Sequence, residues 1–377
     1  MKTIVILSTE PWGKMMLSKM HYAIELSRMG NKVYFINPPR EDISTLVKKA
    51  ETISDVQLLY MKPMKNALFL RHKILPLYNL LMHRYAKKIR ELTGGNIDEL
   101  WNFNPNSFSD VTSFGAKKNI LLIYDFYKGK HVAHAVKAAD IVLAPSSLII
   151  DYYKPFNKAA YFLQHGLSAA FVEESNKRLL SLSTVNKNKT LKVGYTGNLL
   201  RQAMNTLVLE KIIASHPEIE FHIWGPYSHS DNNVSDANEN ISKQMQQFIS
   251  FLKNSSNVFL HGVTAQDELA KAMQEMDAFL FVYSATTDMN AASNSHKLLE
   301  YISTGKVVIS SFVSTYKNTG LLEMCADENS FPSFFSDIVN NIELHNSIAK
   351  QRERITYAIE NSYTSQIAKI QQLLYSA

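Results

Sequence analysis

The sequence predicts an α/β protein with two doubly wound domains, and three observations lead to this prediction. Short runs rich in β-branched residues alternate with helical patterns along nearly the whole chain, which is typical of parallel sheets built from βαβ units. The chain has 377 residues, which is long for one domain and sufficient for two. A polar segment rich in Ser, Asn and Lys interrupts the alternation, and a new strand pattern begins directly after it, at Leu191.

These boundaries divide the chain into four parts. We predict a first doubly wound domain at residues 1–172, a linker at 173–189, a second doubly wound domain at 190–355 and a closing helix at 356–377. The first residues, 1–8, are apolar over only a short run before Glu10 and Pro11, so we expect a buried first strand rather than a signal peptide.

Composition indicates a soluble globular protein. Hydrophobic residues make up 46% of the chain and charged residues 20%, which is typical of a domain with a full-sized core. The single cysteine, Cys325, excludes an internal disulfide and is consistent with a reducing cytoplasm. No run approaches the roughly eighteen apolar residues that a membrane-spanning helix needs. We therefore expect a cytoplasmic protein.

The net charge of +6 is concentrated in one segment. Residues 56–90 include no acidic side chain, and apolar residues separate the basic ones. The basic residues are Lys62, Lys65, Arg71, Lys73, Arg84, Lys87, Lys88 and Arg90. This pattern predicts contact of residues 62–90 with an anionic membrane surface, on the inner face of the membrane. The alternative is a solvated helical pair whose apolar side is core; no motif indicates nucleic acid binding.

Residues 294–310 contain the most informative pattern. A polar loop leads into a short helix that begins near His296 and ends at Gly305, and a β-branched strand follows. The N-terminus of a helix attracts anions, and Lys297 in the first turn adds a full positive charge. Glu300 lies three residues later on the same face, where a carboxylate accepts hydrogen bonds from sugar hydroxyls. The alternative is an ordinary amphipathic helix entering a buried strand.

A second loop in the same predicted domain offers another anion site. The strand that begins at Leu191 ends at Gly197, where a ligand can approach the backbone closely, and Asn198 follows. Arg201 is placed to form a bidentate contact with a phosphate. The alternative is a glycine turn with a surface arginine.

Together these motifs resemble the signature of GT-B glycosyltransferases, especially the family 4-like enzymes of bacterial surface-polysaccharide synthesis. The resemblance rests on the run Lys297-Leu-Leu-Glu-Tyr, the Gly197 loop, the strand closed by Gly225-Pro226 and the loop at Gly262 and Val263. It implies the GT-B fold, in which two Rossmann-like domains face a central cleft and the C-terminal helix crosses back to the first domain. It also implies a metal-independent glycosyltransferase without a cofactor that uses a nucleoside diphosphate sugar, of undecided base, and retains anomeric configuration.

The resemblance assigns roles to residues of the second predicted domain. Arg201 and Lys297 would hold the donor diphosphate, with the helix N-terminus at residues 296–298 (His296 to Leu298), and Glu300 would hold the ribose. The predicted donor-binding residues are Gly197, Asn198, Arg201, Gly225, Gly262, Val263, His296, Lys297, Leu298 and Glu300. A satisfied histidine at the strand end, His261, is the alternative interpretation of the third loop.

In the first predicted domain, the resemblance makes Trp12 and Gly13 the acceptor-side loop after the first strand. Asp125 follows a strand directly and is the candidate for deprotonating or orienting an acceptor hydroxyl, with a helix N-cap as the alternative. His21, on the first helix, is a further catalytic candidate. His165 replaces a family residue near the domain junction and is predicted to touch the donor sugar.

Other functions are less consistent with the sequence. It contains no G-x-G-x-x-G, P-loop, G-x-S-x-G or H-E-x-x-H motif and no cysteine-rich metal site. Two alternatives stay open: a GT-B sugar-nucleotide epimerase, and a non-catalytic GT-B-like partner protein. The second arises because many family members carry another glutamate where this chain has Ala292. The acceptor is expected to be a glycan or a lipid-linked molecule.

Overall fold

A computed structural model describes residues 1–13, 15–184, 189–200, 204–228, 242–284 and 294–375. Its backbone forms two compact units. The first unit comprises Met1–Gln164 and Tyr363–Ala377, and the second comprises His165–Ser362. Within the described ranges, no helix is both long enough and apolar enough to cross a bilayer.

The described part of the first unit places eight strands in one sheet. The strands are β1 (Thr3–Leu7), β2 (Lys32–Ile36), β3 (Val47–Ile53), β4 (Val56–Met61), β5 (Glu99–Asn102), β6 (Lys118–Leu122), β7 (Ile141–Ala144) and β8 (Ala160–Phe162). The helices are α1 (Ser18–Arg28), α2 (Ala67–Lys73), α3 (Leu75–Leu92), α4 (Lys130–Ala138), α5 (Ser147–Tyr153) and α14 (Tyr363–Tyr375), with a short 3-10 helix at Val111–Phe114.

The strand order β3-β4-β2-β1-β5-β6-β7-β8 is that of a doubly wound sheet. All neighbouring strands are parallel except β3, which runs antiparallel to β4 at the edge. Alternate side chains of β1 enter different apolar clusters: Ile4 and Ile6 join one, and Val5 and Leu7 join the other. Because both faces are covered, β1 is apolar from Ile4 to Leu7.

The second unit contains a smaller sheet of six parallel strands in its described part. They are β9 (Lys192–Thr196), β10 (Glu220–Trp224), β11 (Val258–Gly262), β12 (Ala278–Phe281), β13 (Val307–Ser311) and β14 (Glu323–Cys325), in the order β11-β10-β9-β12-β13-β14. The helices are α6 (Ala169–Leu180), α7 (Thr206–Ser215), α8 (Lys243–Asn254), α9 (Gln266–Gln274), α10 (His296–Ser303), α11 (Phe331–Asn340), α12 (Ile342–His345) and α13 (Ile348–Glu360), with a 3-10 helix at Ser314–Tyr316.

The C-terminal helix α14 belongs to the first unit, as predicted for the closing helix. Its apolar side chains Ile367, Ile370 and Leu374 join the same core cluster as the side chains of β1 and α1. The predicted start at residue 356 is too early, because α13 continues to Glu360 and belongs to the second unit.

The predicted linker at 173–189 is wrong for residues 173–180, which form the second half of α6. The buried Ser175 hydroxyl donates to the carbonyl of Ser303 (2.8 Å), and Phe171 is fully buried. The many polar residues of the segment are therefore the solvent face of a packed helix. The two units meet in sequence at Gln164 and His165, before the predicted end of the first domain at residue 172.

Candidate functional site

The carboxyl ends of β9 and β12 define the candidate site of the second unit. These strands are neighbours in the sheet, but the chain leaves β9 toward β10 on one side and returns through β12 and β13 on the other. Open α/β sheets bind ligands in the crevice at such a switch point. The predicted donor-binding residues Gly197 and Lys297 both lie there.

Three glycine loops follow β9, β10 and β11 and are joined through their backbones. The N–H of Gly197 donates to the carbonyl of Trp224 (2.8 Å), and the N–H of Gly225 donates to the carbonyl of Gly262 (2.7 Å). Gly197 and Gly225 have φ values of +148° and +128°, which side-chain-bearing residues rarely adopt. A Cβ at Gly225 would overlap the carbonyl oxygen of Gly197. Glycine is therefore required at both positions, because a side chain at Gly225 would displace the Gly197 loop and a side chain at Gly197 would displace Lys297.

Lys297 brings a positive charge to the first of these loops. Its side chain is 8% exposed, and its Nζ donates to the hydroxyl of Tyr283 (3.0 Å). The amine also lies 5.5 Å from the ring centroids of Tyr195 and Tyr283. It is so close to Gly197 that a Cβ at that position would collide with it. Lys297 thus supplies a cation at the switch point, from the first turn of α10.

The residues at the N-terminus of α10 differ in their exposure to solvent. Ser295 is the N-cap residue, and its side chain makes no capping hydrogen bond. His296 is exposed, whereas the side chain of Leu298 is fully buried and its N–H donates to the carbonyl of Ser295 (3.0 Å). Leu298 therefore packs in the core, and His296 and Lys297 are left as the groups of this turn that a ligand can reach.

Glu300 is partly buried on the same helix, one turn after Lys297. Burial raises the pKa of its carboxyl group from 4.5 to about 7, and the positive charge of Lys297 opposes that rise. Near neutral pH the carboxyl group is therefore balanced between its protonated and ionised forms. Hydroxyl groups donate more strongly to the ionised form, so a ligand with hydroxyl groups would favour ionisation.

Two tyrosines that the sequence analysis did not single out complete this part of the site. The hydroxyl of Tyr301 accepts from the N–H of Thr196 (2.7 Å) and donates to the carbonyl of the same residue (3.1 Å), which fixes the end of β9 against α10. Tyr283 follows β12 and binds Lys297, as described above. The sequence marks these tyrosines only by position: Tyr301 ends the run Lys297-Leu-Leu-Glu-Tyr, and Tyr283 comes shortly after β12.

His165 lies at the start of the second unit and contacts the loop before α10. Its Nε2 is 3.3 Å from the carbonyl oxygen of Asn294, and its ring centroid is 6.1 Å from that of His296. Burial lowers the pKa of His165 to about 4, although the bond to Asn294 opposes this. The imidazole is therefore neutral at pH 7, and its Nε2–H donates to the carbonyl. This contact brings the predicted His165 loop to the N-terminus of α10.

The other residues predicted to bind the donor lie in the loops after β9 and β11 or outside the described residues. The Asn198 side chain accepts from the N–H of Leu200 (2.9 Å) and closes the turn after Gly197. Val263 is 41% exposed at the end of β11. Arg201 and Ala292 lie outside the described residues.

The acceptor-side candidates lie in the first unit. The N–H of Trp12 donates to Asn37 Oδ1 (2.7 Å), and its ring packs edge-on against Phe35 at a centroid distance of 5.0 Å. Gly13 follows in the same loop, after the carboxyl end of β1, and is half-buried. This loop lies where the β1–β5 neighbours form the switch point of the first sheet.

Asp125 is exposed beyond the carboxyl end of β6 and accepts from the hydroxyl of Tyr127 (3.2 Å). The helix N-cap alternative is wrong, because α4 begins at Lys130 and its cap residue is Gly129.

Lys19, for which the sequence predicted no role, is buried at the start of α1 and forms an ion pair with Glu10. Burial lowers the pKa of Lys19 to about 7, and the charge of Asp125 opposes this.

The ring of His21 is packed in the interior of the first unit. It is 9% exposed and stacks on Tyr363 of α14, with a centroid distance of 4.9 Å. Burial lowers its pKa to about 4, and the charge of Arg28 adds to that effect. The structure thus gives His21 a packing contact between α1 and α14.

Among the described residues, no three His, Cys, Asp or Glu side chains are grouped so that they could hold a metal ion.

Comparison with known proteins identifies the architecture. No protein-family model matches the sequence, and no curated protein matches it. Solved structures do match the fold. Sucrose-phosphate synthase from Thermosynechococcus elongatus matches with a TM-score of 0.68 and 12% identity over 100% of both chains. A glycosyltransferase from Rickettsia africae matches with a TM-score of 0.65 and 13% identity, over 100% of this chain and 98% of that one.

HepE from Anabaena, solved in complex with UDP-glucose, matches with a TM-score of 0.66 and 11% identity over 100% of both chains. These similarities cover both units. The chain therefore has the GT-B fold, which confirms the predicted fold class.

Proposed function

We propose that the chain is a family 4-like glycosyltransferase, which transfers a sugar from a nucleoside diphosphate sugar to an acceptor hydroxyl with retention of configuration. The observation that carries the proposal is the position of Lys297, whose amine lies against Gly197 at the switch point of the second sheet. A diphosphate at this position would meet the amine, the positive end of the α10 dipole and an open glycine backbone.

In the proposed reaction the acceptor oxygen forms a bond to C1 of the sugar, and the bond between C1 and the diphosphate oxygen breaks. The nucleoside diphosphate leaves with the electron pair of that bond, and the acceptor proton passes to a base. Negative charge develops on the diphosphate, so Lys297 would stabilise the transition state. This charge takes the place of a metal ion in the proposed mechanism. Asp125 is the candidate for orienting the acceptor hydroxyl, and Trp12 and Gly13 for the acceptor-side loop.

Glu300 is proposed to bind the ribose hydroxyls, and Gly262 and Val263 to lie by the base. HepE was solved with UDP-glucose, which makes uridine the first base to test. His165 would contact the donor sugar from its position beside Asn294. Arg201 keeps its proposed role at the diphosphate.

We also propose a place for the enzyme: the cytoplasmic face of a membrane, in cell-surface polysaccharide or glycolipid synthesis. The support is the basic segment at residues 62–90, which includes α2 and α3. Leu68, Phe69 and Leu80 in this segment are 68%, 58% and 61% exposed. Exposed apolar side chains among basic ones suit an anionic bilayer surface, where each basic residue contributes about 1 kcal/mol.

The experiment that tests the donor site is calorimetric titration of UDP and GDP into the wild type and Lys297→Ala. We expect the variant to bind about ten-fold to a hundred-fold more weakly, since a charge-assisted hydrogen bond is worth about 1.5–3 kcal/mol. Lys211→Ala is the matched control, because Lys211 is an exposed lysine on α7 of the same unit. Equal affinity of Lys297→Ala and wild type would contradict the site assignment.

The two alternatives give different outcomes in turnover assays. An epimerase would form the epimer of its donor without an acceptor and would incorporate deuterium from deuterated water. A non-catalytic partner protein would bind a nucleoside diphosphate but neither hydrolyse nor transfer any donor sugar. Ala292, in place of the second family glutamate, is the observation that keeps the non-catalytic alternative open.

A further inference from the structure

A cavity of about 90 Å³ lies in the first unit beneath α2 and α3. Its wall includes Met61 at the end of β4, Pro39 after β2 and Phe108 after β5. All three positions follow the carboxyl ends of parallel strands, and β1, which carries the acceptor-side loop, lies between β2 and β5 in the sheet. The cavity therefore lies at the edge of the sheet at which α/β proteins bind ligands.

The cavity is lined mainly by adaptable apolar groups. Met61, Met64 and Met82 contribute flexible, polarisable side chains, which adapt to ligands of irregular shape. Tyr78 and Tyr85 add their rings, while the Tyr78 hydroxyl donates to the carbonyl of Ser107 (2.8 Å) and the Tyr85 hydroxyl to that of Lys62 (3.1 Å). Because both hydroxyls already have partners, the lining offers apolar surface to a ligand.

Positive charge is placed at the same cavity. Arg71 lines it and donates from Nη1 to the carbonyl of Asn106 (3.2 Å), but within the described ranges its buried Nε has no hydrogen-bond partner. A buried guanidinium N–H without a partner is costly, and an anionic ligand would satisfy it. Lys62 also lines the cavity and is exposed. Since residues 56–90 contain no acidic side chain, nothing in this segment neutralises the two cations.

The apolar surface continues from the cavity to solvent. Leu68 lines the cavity and is nevertheless 68% exposed. Its neighbour Phe69 and, on α3, Leu80 are exposed to 58% and 61%. A molecule that reaches into the cavity past Leu68 would therefore meet apolar groups outside and inside, with cations beside them. An uncharged sugar or a soluble polar acceptor matches neither property.

We infer that this cavity is an acceptor subsite and that the acceptor is an anionic lipid. One apolar chain would enter between Met61, Met64 and Met82, and the phosphate next to that chain would bind Arg71. The cavity holds a short stretch of a single chain, so the rest of the lipid would remain in the bilayer beside α2 and α3. The role as acceptor rests on the proposed function, whereas lipid binding itself can be tested without any donor.

The probe is dodecyl phosphate below its micelle concentration, titrated into protein labelled at the methionine methyl groups and observed by NMR. We expect the methyl signals of Met61, Met64 and Met82 to shift together, whereas Met324 of the second unit stays in place. Inorganic phosphate provides the head group alone, and dodecyl maltoside provides the chain with an uncharged head group. Both should bind at least ten-fold more weakly than dodecyl phosphate.

Two variants that each remove one positive charge separate a local site from general attraction. Arg71→Gln should weaken dodecyl phosphate binding about ten-fold or more. Arg84→Gln, on exposed Arg84 of α3, should change it less than two-fold while weakening attachment to phosphatidylglycerol vesicles as much as Arg71→Gln does. Leu68→Trp, at an exposed position that tolerates a larger side chain, should narrow the opening and weaken binding of the chain.

Three outcomes would overturn the inference: unmoved methionine signals, equal binding of dodecyl phosphate and dodecyl maltoside, or equal losses from Arg71→Gln and Arg84→Gln. UDP titration into the same variants keeps the two proposals apart. If lipid binds and no nucleotide does, the proposed function fails and the lipid site stands. If UDP binds normally and the lipid probe does not, only the present inference fails.

Discussion

The side-chain amine of Lys297 and the hydroxyl of Tyr283 are 3.0 Å apart at the switch point of the second sheet. Tyr283 lies just beyond β12 and Lys297 in the first turn of α10, so the bond joins the two elements on either side of the candidate donor site. It directs the amine to Gly197 and leaves two of its three protons for a ligand.

Removing the Tyr283 hydroxyl should weaken donor binding without abolishing it. In Tyr283→Phe the ring stays and the lysine loses its directing partner, which is worth about 0.5–1.5 kcal/mol for a typical hydrogen bond. We expect UDP affinity to fall about two-fold to ten-fold by calorimetry. A fall as large as that of Lys297→Ala would instead indicate that the tyrosine itself binds the ligand.

A methyl group at Gly197 should block the site. The backbone conformation at φ +148° is strained for alanine, and the added Cβ would displace the Lys297 amine. We expect Gly197→Ala to lose about 1–3 kcal/mol of stability and all measurable UDP binding. Gly30→Ala is the control for strain alone, since Gly30 has φ +81° with no atom within 4 Å of a built Cβ. It should show a comparable stability loss with normal UDP affinity, and a loss of UDP binding in both would refute the steric explanation.

Donor binding should release protons near neutral pH. The folded pKa of Glu300 is about 7, and ribose hydroxyls that donate to the ionised carboxylate would lower it in the complex. At pH 7 the free carboxyl is about half protonated, so UDP binding should release up to about half a proton. Calorimetry in two buffers of different ionisation enthalpy measures this release, and Glu300→Gln should eliminate it. Proton uptake in place of release would show that Glu300 does not accept from the ligand.

The same carboxyl group makes a prediction about stability in the absence of ligand. Its pKa is raised on folding from 4.5 to about 7, so the folded state holds its proton more tightly than the unfolded state. The free energy of unfolding should therefore fall as pH rises from about 4.5 to 7, by about 1–3 kcal/mol from this group. In denaturant titrations Glu300→Gln should lack that part of the decrease. Identical pH profiles would contradict the raised pKa.

The buried Glu99 carboxylate should determine whether the C-terminal helix stays attached to the first sheet. It accepts from Lys2 Nζ (2.6 Å), Trp101 Nε1 (2.9 Å), the hydroxyl of Tyr375 (3.1 Å) and Gln371 Nε2 (3.2 Å). Glu99→Ala removes the acceptor of the buried Trp101 N–H and the contacts of Glu99 with α14, whereas Lys2 Nζ keeps its bond to Gln371 Oε1 (2.7 Å), so it should cost about 1–3 kcal/mol. Limited proteolysis should then cleave within α14 first. Glu91→Ala, at an exposed glutamate of α3 that pairs with Lys88, is the comparison and should leave the cleavage rate near that of the wild type.

The central strands could be predicted from sequence where burial on both faces makes them apolar without a break, as in β12. The edge strand β3 could not be predicted from sequence in this way. Its side chains at Lys48, Lys49 and Glu51 are exposed, so neither a hydrophobic run nor a clean alternation marks it. Residues 173–180 of α6 were wrongly predicted to be a linker for a related reason. Their charged side chains form i,i+3 and i,i+4 pairs on the solvent face of a helix, so no apolar pattern marks them.

For the candidate site, local motifs placed Lys297, Glu300 and Gly197 on the correct elements. Local motifs could not predict which elements lie next to each other in the fold. Tyr301 binds Thr196 across 105 positions of sequence, and that contact exists only because β9 lies beside β12 in the sheet. The cavity lining of the first unit is likewise assembled from separate loops whose proximity depends on strand order.

The position of α14 has a consequence for how the chain is made. The first unit needs residues 363–375 to complete its core, whereas the second unit is continuous from His165 to Ser362. During synthesis the second unit therefore has all of its residues before the first unit does, the reverse of the usual N-terminal-first order. Ribosome-bound chains that display residues up to Ser362 should protect the second unit from protease while the first remains sensitive. Until α14 has been synthesised, the apolar side chains of the first unit that α14 covers stay exposed, which favours aggregation.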